Sequence, residues 1–174
     1  MRTIAMAYSD LGTFDGIHVL YVNNDADFAE LARTKLLHSA PDFEVTTAAT
    51  AEAALDRLEA SAIDCVVTSY SLPDGTGIEL LERLRAERDA LPTILFTGRG
   101  SERIASEATQ ADVSDYMPIR AEQDNFELLV RRIRTLVEAA RQEATAERMA
   151  ERFQRTLERA TDAIYAVDNE WGIE

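Results

Sequence analysis

Cysteine is nearly absent from this chain. Cys65 stands alone among 174 residues, so no disulfide can form within it, and its place inside the apolar run "IDCVVT" reads as a buried, inert thiol in a reducing compartment. Lysine is as scarce, Lys35 being the only one, and basic residues as a whole are few: 18 Lys and Arg against 32 Asp and Glu, a net charge of -14. Such a field repels phosphate backbones and anionic lipid, which excludes a nucleic-acid or membrane-surface role for these residues. Heavy acidity with almost no lysine is the composition expected of a cytoplasm at high salt, where repulsion is screened. No apolar h-region opens the chain and no run approaches the ~18 residues that span a bilayer. A cytoplasmic protein is expected.

What is present is an alternation of strand-length and helix-length patterns. Three continuous apolar runs, "IHVLYV" (17–22), "IDCVVT" (63–68) and "TILFT" (93–97), read as strands covered on both faces, and "FEVTTA" (43–48) and "VSDYM" (113–117) complete a set of five. Helical patterns lie between them. Asp25, the Thr of "TAEAAL" and Ser101 precede three of these as caps. Five βα units in about 125 residues predict an α/β protein with a doubly wound, flavodoxin-like (βα)5 parallel sheet.

The fifth helical pattern runs on into a long C-terminal extension. No Pro or Gly interrupts residues 119–171, and Leu129, Ile133, Leu136 and Ala140 form one apolar stripe. After a phase slip at Glu143 to Glu147 it resumes as Ala146, Ala150, Phe153, Leu157, Ala160 and Ile164. A helix continuing past its sheet would expose this stripe, so a coiled-coil homodimer through it is expected.

Open parallel sheets bind ligands at the carboxyl ends of their strands. The residues there are Asn23, Asn24 and Asp25, then Ser69, then Thr97, then Met117 to Arg120. The framework "VLYVNND", "VVTSYSLPDGTG", "ILFTG" and "SDYMPIR" resembles, in order and spacing, the receiver domain of two-component signalling. That resemblance implies a phosphorelay role and partners such as a histidine kinase. In the family the first strand ends in an acidic pair, the third in an aspartate that accepts a phosphoryl group, the fourth in Thr or Ser, and the fifth carries an aromatic followed three residues later by Lys.

Here the acidic pair is Asn23 and Asn24, the acceptor position is Ser69 and the lysine position is Ile119. A neutral amide brings no charge to a Mg²⁺ ion, and a serine hydroxyl needs an adjacent base that this pocket does not offer. Arg120 is one position off and Lys35 lies in the first helix. The switch positions Thr97 and Tyr116 match. The resemblance therefore implies a degenerate pseudo-receiver that acts by protein–protein interaction, is not an enzyme, and needs no metal or cofactor. The alternative is a working phosphorelay receiver using Ser69 or Asp74.

His18 and His38 have no second ligand at metal spacing, and "GRG" (98–100) is a loop rather than a phosphate cradle. The C-terminal "ERATDAIYAVDNEWGI" is similar to the opening of a PAS sensory domain, with "AIYAVD" as its first strand. The expected organisation is a tail (1–16), a receiver-like domain (17–138), a helical linker (139–160) and the start of a PAS-like domain (161–174).

Overall fold

The computed structural model describes residues 16–98, 100–120 and 125–170. The chain order is β1 (Ile17–Val22), α1 (Ala26–Ser39), β2 (Phe43–Ala48), α2 (Ala51–Ala60), β3 (Cys65–Thr68), β4 (Ser71–Leu72), β5 (Gly75–Thr76), α3 (Gly77–Glu87), β6 (Thr93–Thr97), α4 (Glu102–Gln110), β7 (Asp115–Pro118) and α5 (Asn125–Glu170). Five strands form one sheet in the order β2-β1-β3-β6-β7, every pairing in it parallel. This is the flavodoxin-like arrangement that the alternating pattern predicts. β4 and β5 add a short antiparallel pair between β3 and α3.

Continuous apolar strands are what a sheet covered on both faces requires. One face carries Val19, Tyr21, Val67, Ile94 and Phe96, packed under α1 and the start of α5. The other carries Leu20, Val22, Val66 and Leu95, packed under α2, α3 and α4. Cys65 is fully buried, and that burial pushes its thiol well above the ordinary range, as an inert core cysteine requires. His18 is buried beside β2, its Nε2 2.8 Å from the Thr46 hydroxyl oxygen.

The starts of α1 to α4 are each fixed by a side chain that accepts an otherwise orphaned N–H. Asp25 accepts from the Phe28 N–H, Thr50 from Ala53 and Ser101 from Ile104. Thr76 and Glu79 form a reciprocal capping box at α3. At the far edge, Arg134 donates to both oxygens of Asp42, at 2.8 and 3.0 Å, and its guanidinium lies 5.1 Å from the centre of the Phe43 ring. That guanidinium holds the Asp42 carboxyl below its ordinary range.

The contacts divide the chain into two units, one ending at Val137 and one beginning at Glu138. This corrects the single exposed stripe expected along α5. Leu129 and Ile133 are fully buried in the first unit, and Leu136 packs against the same cluster. Their register matches the sheet face of their own domain, so intramolecular packing covers them. In the second unit Met149, Phe153 and Leu157 are exposed.

A second correction concerns "AIYAVD", residues 163–168, which are helical to Glu170 rather than a strand. A strand needs a neighbour to receive its hydrogen bonds, whereas a helix satisfies them within the segment. Of the expected turn "NEWG" (169–172), Asn169 and Glu170 are helical too, while residues 171–174 lie outside the described residues, as do residues 1–15 of the tail, Arg99 of "GRG", and 121–124 before α5.

Candidate functional site

The parallel register lines up the strand ends. Val22 pairs with Thr68, Thr68 with Leu95, and Thr97 with Pro118. Asn23, Ser69 and Thr97 therefore follow or close neighbouring strands on one edge of the sheet, as the sequence predicts.

Asn23 is buried, and its N–H donates to the Ala48 carbonyl at 2.9 Å. Its side-chain Oδ1 accepts the N–H of Asp25 at 2.9 Å, closing a local turn. Asn24 is exposed. The Asp25 carboxylate caps α1 at 3.0 Å from the Phe28 nitrogen. Behind this turn the Tyr21 hydroxyl is buried and has no partner at hydrogen-bond geometry among the described residues, although the Asn23 side chain is near enough to act on it. Burial pushes its phenol far above the ordinary range, and the Asn23 side chain acts in the opposite direction.

Ser69 is held by three contacts, one to the end of β1 and two to its own chain neighbours. Its N–H donates to Val22 O at 3.0 Å, its hydroxyl donates to Ser71 O at 3.3 Å, and its carbonyl accepts from the Thr68 hydroxyl at 3.1 Å. The first residue of α3, Gly77, backs onto the same carbonyl: a Cβ there would run into the Ser69 oxygen and lie 3.0 Å from Cγ2 and Oγ1 of Thr68. Its N–H donates to Tyr70 O at 2.7 Å.

Asp74 lies at the end of the next turn, where both oxygens are engaged. Oδ1 accepts the Ala51 N–H at 2.9 Å and Oδ2 the Glu52 N–H at 3.0 Å. These are first-turn amides of α2, where the helix dipole favours negative charge. The two bonds hold the Asp74 carboxyl below its ordinary value of 3.8.

Thr97 is buried, its carbonyl accepting the Ile119 N–H at 2.9 Å. Tyr116 is half-buried with its hydroxyl beside Gly100. Ile119 packs its side chain against the core under α1 and α5. Arg120 is exposed, and its carbonyl accepts from Asn125 Nδ2 at 2.6 Å. Together with Gly98, Ser101, Glu102 and Ala105, Tyr116 and Ile119 line an open groove of about 470 Å³ between α4 and β7.

Two contacts here were beyond the reach of sequence reasoning. The Tyr70 hydroxyl, one residue past Ser69, donates to Glu107 Oε2 on α4 at 3.1 Å, and Glu107 also pairs with Arg103 at 3.0 Å. The Asp74 cap on α2 is the other. Both join residues 22 or more positions apart, and no local spacing encodes them.

Comparison with known proteins bears on this arrangement. Residues 19–131 match the family described as response regulator receiver domain. The chain belongs to that family. It is 33% identical over 136 residues to the transcriptional regulatory protein FixJ of Bradyrhizobium diazoefficiens, a match covering 78% of this chain and 65% of that protein. It is 32% identical over 139 residues to the response regulator MprA of Mycobacterium bovis, covering 79% of this chain and 57% of that protein. A CheY-like receiver domain structure from Methanospirillum hungatei shares the fold with a TM-score of 0.65 at 24% identity, covering 74% of this chain and 98% of that one.

The chain thus spans about two thirds or less of these curated relatives. Receiver domains are generally non-enzymatic modules of two-component signalling that interact with histidine kinases and other signalling proteins. Among the described residues no helix is long and apolar enough to cross a membrane, and no three His, Cys, Asp or Glu side chains converge.

Proposed function

We propose that this receiver domain accepts no phosphoryl group and works as a pseudo-receiver through protein–protein recognition. The observation that carries the reading is the substitution pattern at the strand ends: Asn23 and Asn24 for the acidic pair, Ser69 for the acceptor, Ile119 for the lysine. The residues present do not fit a divalent cation. The Asn23 oxygen is neutral and already accepts a backbone N–H, and one oxygen of the Asp25 carboxylate caps a helix, which leaves this edge short of the anionic oxygens a hard metal needs. Ser69 has its hydroxyl turned to the Ser71 carbonyl rather than to a base.

The alternative acceptor Asp74 fares no better, because both of its oxygens already accept α2 amides and a phosphoryl group on either one would displace that bond. Thr97 and Tyr116 are read as packing residues, and the partners as a histidine kinase, other signalling proteins or domains of the same chain. The helical linker 139–160 is read as leading into the PAS-like segment 161–174.

Incubation with a small-molecule phosphodonor and Mg²⁺, followed by intact-mass measurement, tests the reading. The mass is expected to stay unchanged, while an N23D/N24D/S69D/I119K variant gains one phosphoryl group. Stoichiometric phosphorylation of the unaltered chain, lost in S69A or D74N, would overturn it.

A further inference from the structure

We propose that the second unit of α5 pairs with a second copy of this chain, in parallel, through a short seam centred on Phe153 and Leu157. Among the described residues the large exposed apolar side chains are Leu31, Leu128, Met149, Phe153 and Leu157, and the last three lie within nine positions. Their spacing of four places them along one side of the helix. Met149 and Phe153 are each 67% exposed and Leu157 51%. Ala146 and Ala150, with Phe153 and Leu157, step by four, three and four, the repeat of a two-helix seam in which small residues allow close approach.

Charge selects the occupant. The chain as a whole carries -14, yet over 138–159 five arginines (Arg141, Arg148, Arg152, Arg155 and Arg159) match five glutamates. The seam is therefore electrically neutral ground in an acidic protein. Neither a basic partner nor an acidic one gains from it, and an anionic membrane is repelled by the chain around it. A second copy brings the same balanced stretch, so the repulsion that opposes pairing comes from the rest of the acidic chain and not from the seam. In a parallel pair the flanking positions that face each other are Gln142 with Glu147 and Met149 with Gln154, which set no like charges together, so the seam starts at Ala146, after Glu143, which would face its own copy. Arg155 is held by Glu151 on its own helix, at 3.3 Å.

The inference is independent of whether Ser69 accepts a phosphoryl group. It narrows the contact to the second unit, since Leu129 and Ile133 are already covered by their own domain.

Sedimentation equilibrium of the full chain, at low and high salt, tests it. A dimer is expected that tightens as salt rises, because the repulsion between two acidic copies is screened within ~10 Å at 0.1 M. Phe153→Glu with Leu157→Glu is expected to weaken it at least about 100-fold, as loss of two central apolar anchors does, with thermal unfolding of the first unit unchanged. Leu128→Asp, on the first unit, is expected to leave the dimer intact. A monomer at every concentration, a dimer indifferent to the double variant, a dimer broken by Leu128→Asp, or one weakened by salt would each overturn the proposal.

Discussion

Replacing Gly77 with alanine adds one methyl group at the point where α3 meets the Ser69 loop. Normally the exchange favours a helix, because alanine lowers the entropy of the unfolded chain and raises helix propensity by up to ~1 kcal/mol. Here the new Cβ would run into the Ser69 carbonyl oxygen and press at 3.0 Å on two atoms of Thr68. Neither neighbour is a flexible tip. The Ser69 carbonyl is backbone tied to Val22 through its own N–H, and Thr68 is fully buried. Relief requires shifting either the loop or α3, whose Leu80, Leu81 and Leu84 are each 1% exposed in the core.

Overpacking of this kind costs ~1–3 kcal/mol and more where backbone must move, so the clash outweighs the propensity gain. The expected net loss is ~2–3 kcal/mol, a fall in Tm of roughly 8–12 °C for a domain of this size. Gly98→Ala is the matched control, since a Cβ there meets nothing within 4 Å. Urea and thermal unfolding followed by circular dichroism would compare the two. If G77A proved as stable as G98A, the claim that α3 fixes the Ser69 loop by close backbone approach would fall.

Two further outcomes follow from buried and capping groups. Tyr21→Phe removes a buried hydroxyl that has no partner at hydrogen-bond geometry among the described residues, so it is expected to be neutral or to stabilise by up to ~1 kcal/mol; a loss beyond ~1 kcal/mol in urea unfolding would mean the hydroxyl is bonded, with the Asn23 side chain as its partner. Asp74 has its folded pKa below 3.8 because Ala51 and Glu52 donate to it. A depressed carboxyl contributes stability that is present above its unfolded value and lost as pH falls through the folded one. The stability gap between the parent and D74N is therefore expected at neutral pH and should close below about pH 4; a gap unchanged down to pH 2 would refute the cap.

The fold was legible because its signals are local. The strands are continuous apolar runs, and Asp25, Thr50 and Ser101 sit one residue before the helices they cap. Periodicity reports that a face is apolar but not what covers it, which is why Leu129 and Phe153 looked alike in sequence and differ in the structure. The strand pattern in "AIYAVD" failed for a related reason. β-propensity describes a fit to neighbouring strands, and residues 163–168 lie in a helix that satisfies its own backbone. The site's positions were legible from the family's spacing. Their contacts were not, since Asp74 reaches back 23 residues to Ala51 and Tyr70 forward 37 to Glu107.

Those contacts bear on how such a domain could respond to a partner. In a phosphorylatable receiver the new charge would arrive at the end of β3 and would have to find donors among the surrounding side chains. Here the polar groups at that edge are already used within the fold: Asn23 by Asp25, Ser69 by Ser71, Asp74 by α2, Tyr70 by Glu107. Two of these bonds are local to their own turns, and the other two tie the β3–α3 connection to a helix: Asp74 to α2 and Tyr70 to α4. The Tyr70–Glu107 bond is the only one of these four that reaches α4, a nine-residue helix with only Ile104 and Ala108 buried. Few buried contacts make a helix the element most easily displaced. A partner seated in the groove between α4 and β7 would meet α4 at its capping Ser101, Glu102 and Ala105, on the same helix whose Glu107 holds the hydroxyl of Tyr70, the residue after Ser69.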